Sequence, residues 1–438
     1  MTMLRKTIAL MLFVSGSTSL QAFTLQEAVD QTIKTNPQLL TQVNRRLAAA
    51  PEVDIAKSGY YPKLDLNAGV GYERTDNSST SPEDVEYRRE EIELTFRQML
   101  FDGYATKSAV DRAESQVMAA ANRVASDSES TGLNAVSVYL GVLFNSELFE
   151  LAKVNLQAHQ DTFERIKKRA DSGFDTKVDL EQAAGRLALA KANLTSTEGN
   201  LLDARAAFLR VVGVPAEDLQ FPEGDCCSVY MPGSLNEAIE QACSKHPELL
   251  SAIAFYESSL AEHQSSKALH RPNLYLDMGA SWNENLDGVE GGNDDKYAML
   301  RGEYNVYRGG SDDARVLEAA HASEAAKDNV RTVKRDLDQA VRTTWNALLI
   351  SEKTLPFLEQ RAVSAERSRD SYYEQFVIGQ RTLLDLLDSE NELFTARSQL
   401  LDGRYARVLA QYQVMAALGV LLDSLEIQGR EEASVVLK

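Results

Sequence analysis

The fold is decided by a stretch that occurs twice in the chain, as Thr24-Leu-Gln-Glu-Ala-Val-Asp-Gln31 and as Ser234-Leu-Asn-Glu-Ala-Ile-Glu-Gln241. The same spacing of 210 residues relates the pairs Pro37 and Pro247, Pro62 and Pro272, and Gly69 and Gly279. Further along, a spacing of 206 residues relates Tyr139 to Trp345, Asp179 to Asp385 and Gly213 to Gly419. A register held this long indicates an internal duplication. The four-residue change falls between positions 73 and 90 and marks an exposed loop.

The duplication divides the chain of 438 residues into segments. We expect a first repeat at 23–225, a linker at 226–233, a second repeat at 234–425 and a C-terminal tail at 426–438. Residues 1–22 combine Arg5 and Lys6 with a short apolar run and small residues before Ala22, which is typical of a secretory signal. The run is too short to cross roughly 30 Å of hydrocarbon, so we expect cleavage near Ala22 rather than a membrane anchor.

Proline placement predicts very long helices. No proline lies between Pro82 and Pro215, and only Pro356 lies beyond Pro272. Proline breaks helices, and both stretches are rich in strong helix formers. A continuous helix from about Tyr104 to Asp171 would extend roughly 100 Å at 1.5 Å per residue.

Helices of this length need lateral support, and a heptad pattern supplies it. In the first copy the seam consists of Leu180, Leu187, Leu194, Leu201 and Phe208, with Ala183, Ala190, Thr197, Ala204 and Val211 as companions. The second copy repeats it with Leu386, Leu393 and Leu400, accompanied by Ala396 and Ala410. Gly173 and Gly379 end one helix before Thr176 and Thr382 can cap the next. Each copy therefore contains a helical hairpin.

Four short segments alternate apolar and polar residues with period two, as half-buried strands do. The apolar sets are Leu64, Leu66, Ala68, Val70 and Tyr72; Ile92, Leu94 and Phe96; Leu274, Leu276, Met278, Ala280 and Trp282; and Ala298, Leu300, Gly302, Tyr304 and Val306. Because the mature chain shows no apolar run near 20 residues, we expect strands rather than helices to cross any bilayer.

Four strands are too few to close a membrane barrel, and an open sheet edge is not tolerated in lipid. Three chains would supply twelve strands to one closed barrel. A sheet outside the membrane, on an otherwise helical protein, remains the alternative. We expect the loops near 77–86 and 284–296 to be the external tips of the barrel, because they separate the strands and are rich in Gly, Ser, Asp and Asn.

Charge and composition exclude several functions. The formal net charge of −19 gives the chain no electrostatic reason to bind nucleic acid. The histidines and the cysteines Cys226, Cys227 and Cys243 form no metal-binding motif. A disulfide to Cys243 and three free thiols both remain open. No GxSxG, Walker A or dinucleotide fingerprint is present in the sequence.

Taken together, these features resemble the TolC family of trimeric outer-membrane export channels over essentially the whole mature chain. The resemblance rests on the Leu-x-Glu-Ala openings at Leu25 and Leu235, the steps at Pro37 and Pro247, the strand starts at Pro62 and Pro272, the turns Phe101-Asp-Gly and Tyr307-Arg-Gly-Gly, and Gly379-Gln-Arg-Thr-Leu-Leu-Asp-Leu-Leu-Asp388.

The family resemblance implies a homotrimer with a mainly helical chain, a 12-stranded barrel in outer-membrane lipid and a helical tunnel in the periplasm. It also implies docking to a periplasmic adaptor and an inner-membrane pump, with the channel as a passive conduit for proteins or small molecules. Such a channel is expected to have no catalytic residues and no cofactor, and the missing enzyme motifs are consistent with this. The competing functions are a periplasmic coiled-coil adaptor or scaffold, which should lack membrane strands, and an exported enzyme, which should show a convergent polar site.

The resemblance also implies a periplasmic gate where the hairpins turn. Asp385, Asp388 and Glu392 share one helix face, and a solvated surface is the alternative to acidic rings there. By position in the family, Asp385 and Asp388 would form the rings and Arg381 would link to Asp179. Phe376 stands where a tyrosine link would be expected, so the closed state would depend more on Arg381.

Overall fold

The computed structural model describes residues 23–76, 85–173, 176–222 and 229–434. The expected signal at 1–22 lies outside these residues, as do Cys226, Cys227 and most of the loop near 77–86. Cys243 carries a free thiol.

Each half of the described chain runs through two short helices, two strands and two long helices. The first half contains α1 (Leu25–Thr35), α2 (Pro37–Lys57), β1 (Lys63–Thr75), β2 (Val85–Phe101), α3 (Ala105–Asp171) and α4 (Lys177–Val212). The second contains α5 (Leu235–Lys245), α6 (Pro247–Ser266), β3 (Asn273–Glu284), β4 (Gly292–Glu303), α7 (Ser311–Val377) and α8 (Leu383–Leu418), followed by a short turn of helix, α9 (Leu421–Ser424). The predicted fold class, mainly helical with four strands, is confirmed.

The long helices match between the halves. Helices α3 and α7 each have 67 residues, and α4 and α8 each have 36. Helices α4 and α8 pack against α3 and α7 but are too short to cover them, and α2 and α6 pack against α3 and α6 against α7 as well. Helices of this length depend on such apolar partner surfaces. Pro356 lies inside α7 without ending it.

In the part of α4 nearest the turn, the small members of the predicted heptad seam are more buried than its leucines. Ala183, Ala190 and Thr197 are buried in α4, whereas Leu180, Leu187 and Leu194 are only half-buried. Small side chains let the paired helices approach closely, which leaves part of each leucine outside the hairpin.

The four strands form one antiparallel sheet in the order β1-β2-β3-β4. Toward the long helices one face is apolar, with Leu64, Leu66, Ala68, Val70 and Tyr72 beside Ile92, Leu94, Phe96, Leu276, Met278, Trp282 and Leu300. Toward the connections between the paired strands the same face carries Arg88, Glu90, Asp294 and Lys296. The other face is polar, and the register places Lys63, Arg97 and Asp277 on it side by side. Both outer strands, β1 and β4, have an unpaired edge within the described chain.

Two predicted boundaries in the second sheet hairpin were wrong. The loop expected at 284–296 is confined to residues 285–291, because the polar residues from Gly292 onward already pair with β3 as part of β4. Strand β4 then ends at Glu303, so Tyr304 and Val306 lie beyond it. The first residues of β4, 292–296, include no apolar side chain on either face, so this part of the strand shows no alternation of apolar and polar residues.

The main core lies where the short helices α1 and α5 meet the middle of α3 and the end of α8. Tyr139 of α3 is fully buried there, and its hydroxyl lies 2.7 Å from the carbonyl oxygens of Phe23 and Gln220. Phe23 forms a β-bridge with Leu219. Tyr139 thus joins the segment that precedes α1 to the segment that follows α4.

One helix of the described chain, α3, is long and apolar enough to cross a membrane by length and composition. The expectation that the mature chain has no segment apolar enough to span a membrane was therefore wrong for α3. Residues Ala135, Val136 and Leu140 of this helix are buried in the main core, so packing within the protein accounts for their apolar character.

Candidate functional site: the hairpin tips

Both hairpins turn through a glycine with a left-handed backbone. Gly173 has φ +77° and Gly379 has φ +78°, a region in which residues with a Cβ are strained. The amide of Gly379 donates to the carbonyl of Phe376 and that of Gln380 to the carbonyl of Gln375, which closes the end of α7. The glycines therefore set where each long helix ends.

The helices that follow begin with the same capping box. Thr176 accepts a hydrogen bond from the amide of Asp179 at 3.2 Å, and Asp179 accepts from the amide of Thr176 at 3.0 Å. Thr382 and Asp385 make the equivalent bonds at 3.3 and 3.2 Å. These bonds satisfy amides that a helix start leaves unpaired.

Hydrogen bonding lowers the pKa of both carboxyls. The Thr176 hydroxyl and amide lower the pKa of Asp179, and the charge of Arg169 lowers it further. The Thr382 hydroxyl and amide lower the pKa of Asp385, with a smaller contribution from Arg381. Both groups are therefore anions at neutral pH, each held by its own helix start.

A small apolar cluster joins the two hairpins just above the turns. It contains Ile166 of α3, Ala183 of α4, Phe376 of α7 and Leu383, Leu386 and Leu387 of α8. The cluster is separate from the main core. Through it the tip of the α3–α4 hairpin packs against the tip of the α7–α8 hairpin.

Three arginines of the first hairpin reach across to the second. The guanidinium carbon of Arg165 lies 5.2 Å from the ring centroid of Tyr373, and that of Arg169 lies 5.4 Å from the ring centroid of Phe376. Nη2 of Arg186 donates to Oδ1 of Asp388 at 2.6 Å.

The sequence patterns did not predict these contacts. One signal for Arg169 was present, because this basic residue lies in the last turn of α3 and Phe376 lies in the last turn of α7, so both are next to the turns of their hairpins. Phe376 lacks the hydroxyl of a tyrosine, but Arg169 makes a cation–π contact with its ring.

Arg381 does not reach Asp179 within the described chain. Its Nε donates to Oε1 of Gln375 at 3.0 Å, and its guanidinium lies 4.5 Å from the ring centroid of Tyr372. The carboxylate of Asp179 already accepts hydrogen bonds from Thr176 in its own capping box. Within one chain each group therefore has a nearer partner on its own hairpin, and the expected link between Arg381 and Asp179 stays a prediction.

The predicted acidic stripe is divided by its contacts. Asp385 caps α8, Asp388 is paired with Arg186, and Glu392 is exposed. Within the residues that the structure describes, no cluster of His, Cys, Asp and Glu side chains is arranged to hold a metal ion.

A sheet with one apolar face, continuous with helical hairpins roughly 100 Å long, defines a channel protein that joins a membrane barrel to a helical tunnel. The family model described as "Outer membrane efflux protein" matches residues 28–214 and 238–420. The chain belongs to this family, and the resemblance to TolC-type channels is confirmed.

The relatives cover nearly the whole chain. Over 423 residues the chain is 25% identical to the outer membrane protein TolC of Vibrio cholerae, covering 94% of this chain and 95% of the relative. Over 379 residues it is 25% identical to the outer membrane efflux protein BepC of Brucella suis, covering 86% and 81%.

The fold matches the CmeC outer membrane channel of Campylobacter jejuni with a TM-score of 0.81 at 16% identity, covering 91% of this chain and 86% of that one. The protein is an outer-membrane channel whose helical tunnel stands in the periplasm.

Proposed function

We propose that three copies of this chain close a 12-stranded barrel and form a passive export conduit. The observation that carries the proposal is the four-stranded sheet with one apolar face and unpaired edges at β1 and β4. In lipid each unpaired backbone group costs several kcal/mol, so both edges need a neighbour. Copies of the same chain supply it, since β4 of one can pair with β1 of the next.

The conduit receives its cargo from a periplasmic adaptor and an inner-membrane pump, which provide the energy. The channel contributes no catalytic residue and no cofactor. The family match does not favour the alternative, a periplasmic adaptor, because an adaptor has no use for a sheet with a lipid-facing side.

The hairpin tips are the periplasmic gate. In the closed state the α7–α8 hairpin rests against the α3–α4 hairpin through the apolar cluster around Phe376. Arg169 and Arg186 hold it there through Phe376 and Asp388. Asp385 and Asp388 narrow the passage and attract cations, while a link from Arg381 to Asp179 of a neighbouring chain replaces partners that each residue has on its own hairpin. The residues at the two turns, Gly173, Thr176, Gly379 and Thr382, belong to the surface that an adaptor contacts.

Outer-membrane extraction followed by reconstitution tests the proposal. We expect the mature protein to need detergent, to have the mass of a trimer and to form cation-selective channels in planar bilayers. A detergent-free monomer in the periplasmic fraction would contradict it.

A further inference from the structure

Two arginines share one carboxylate on the polar face of the sheet. Nε and Nη2 of Arg97, on β2, lie 2.8 and 3.1 Å from the two oxygens of Asp277 on β3. Nε of Arg301, on β4, lies 2.9 Å from Oδ2 of the same carboxylate. All three residues are near the end of the sheet where the strands meet the long helices.

The burial of the three side chains is unequal. The side chain of Asp277 is 6% exposed, whereas those of Arg97 and Arg301 are 52% and 45% exposed. The carboxylate therefore lies beneath the two guanidinium groups and fixes them. Tyr275 holds Arg97 from a second direction, with its ring centroid 5.4 Å from the guanidinium carbon.

Donors remain on both guanidinium groups. In the described part of the chain, Nη1 of Arg97 and both terminal nitrogens of Arg301 donate to no protein acceptor. Two cations on one anion leave an excess of one positive charge. An arginine already oriented by a carboxylate loses little freedom when it binds an oxyanion through its remaining N–H groups.

The other end of the same face has the opposite charge balance. Arg89 contacts three carboxylates, those of Glu73, Glu91 and Asp287. It lies eight residues from Arg97 on β2, roughly 26 Å at 3.3 Å per residue. The charge of this arginine is outweighed by its three carboxylate partners, whereas at the inner end of the sheet the two arginines share a single paired carboxylate.

We propose that Arg97 and Arg301, held by Asp277, form a binding site for an oxyanion, the phosphate or carboxylate group of a solute inside the barrel. The inference rests on the proposed conduit, because the polar face must line the passage. In a trimer the site occurs three times at one level, where cargo leaves the tunnel and enters the barrel.

Three further charged side chains lie on this face near the site. Lys63 is the register partner of Arg97 and adds a third cation. Asp65 and Glu303 lie on the same face and balance these cations in total charge. Neither carboxylate is within ion-pair distance of the two arginines, whose ion-pair partner is Asp277, so the site depends on the free donors of the arginines and not on a net charge.

Single-channel recording of the full-length trimer tests the proposal, with inorganic phosphate and glutarate as probes in a KCl background. We expect either anion to interrupt the current at concentrations where extra chloride does not. Arg301→Gln should need about tenfold more anion for the same block, as expected for one lost charge-assisted hydrogen bond. Arg89→Gln is the matched control, and its current should be interrupted at the same anion concentration as that of the parent.

Interruption by phosphate alone assigns the site to phosphate groups, and interruption by both anions extends it to carboxylates.

Parental conductance in KCl alone shows that a variant is folded and inserted. A parent protein that conducts without anion block overturns this inference and leaves the conduit standing. Equal loss of block in Arg89→Gln and Arg301→Gln also overturns it, because general electrostatics would then explain the effect. A parent protein that forms no channel overturns the conduit and the site together.

Discussion

Arg186 of α4 donates a hydrogen bond to Asp388 of α8 at 2.6 Å, and this contact joins two helices that belong to different hairpins. The residues are 202 positions apart in the chain. Their side chains are 32% and 59% exposed, so the pair is partly screened by water. Such a pair is worth about 0 to 1 kcal/mol in each chain, and a symmetric trimer would contain three.

Breaking this pair should open the gate. We expect Arg186→Gln to raise single-channel conductance, because the second hairpin loses a tie to the first. Arg342→Gln is the control, since Arg342 pairs with Asp338 inside α7 and links no hairpins. Exchanging the charges in Arg186→Asp with Asp388→Arg should restore the pair, so that the channel is open for a smaller fraction of the recording than with Arg186→Gln, although cation selectivity falls because Asp388 lines the passage. A double variant that is open as often as the single one would contradict the latch.

Arg169 should matter more to the closed state than Arg381. Arg169 contacts Phe376 across the hairpins, whereas Arg381 donates to Gln375 on its own hairpin. A cation–π contact contributes about 0.5 to 1 kcal/mol at a partly exposed site. We expect Arg169→Gln to increase conductance more than Arg381→Gln in the same bilayer assay. The reverse order would show that Arg381 links to a neighbouring chain.

The sequence predicted those parts of the protein that depend on local patterns. Long helices follow from the absence of proline, and the capping boxes at Thr176 and Thr382 involve residues three positions apart. The contacts of Arg186 with Asp388 and of Arg97 with Asp277 join distant positions, 202 and 180 residues apart. Such pairs depend on helix rotation and strand register, which a single sequence does not encode in its spacing.

Neighbouring positions on β1 should respond oppositely to a charge. Ala68 lies on the apolar face and Asn67 on the polar face. An arginine on the lipid side near the bilayer midplane costs about 2 to 4 kcal/mol. We expect Ala68→Arg to reduce the amount of trimer in the outer membrane, and Asn67→Arg to leave it unchanged. Quantitative blotting of membrane fractions measures both, and equal yields would contradict the assignment of the faces.

Glu129 should make the C-terminal turn sensitive to pH. This side chain of α3 is buried and accepts hydrogen bonds from the amides of Leu421 and Leu422, at 2.7 and 3.4 Å, where α9 begins. Burial raises the pKa of Glu129 from 4.5 to about 7, although both amides oppose the shift, and Asp423 adds a smaller repulsion.

A carboxyl whose pKa is higher in the folded protein binds more protons there than in the unfolded chain. Stability therefore falls as the pH rises from about 4.5 to about 7 and levels off above that. The loss is on the order of 3 kcal/mol. Hydrogen exchange of residues 419–427, corrected for the intrinsic rate, should show protection falling from pH 5 to pH 7.5. Glu129→Gln cannot ionise, so its protection should change little with pH, whereas the exposed control Glu150→Gln should follow the parent. A parent profile that is flat across this range would show that Glu129 does not titrate between pH 5 and pH 7.5 and would contradict the prediction.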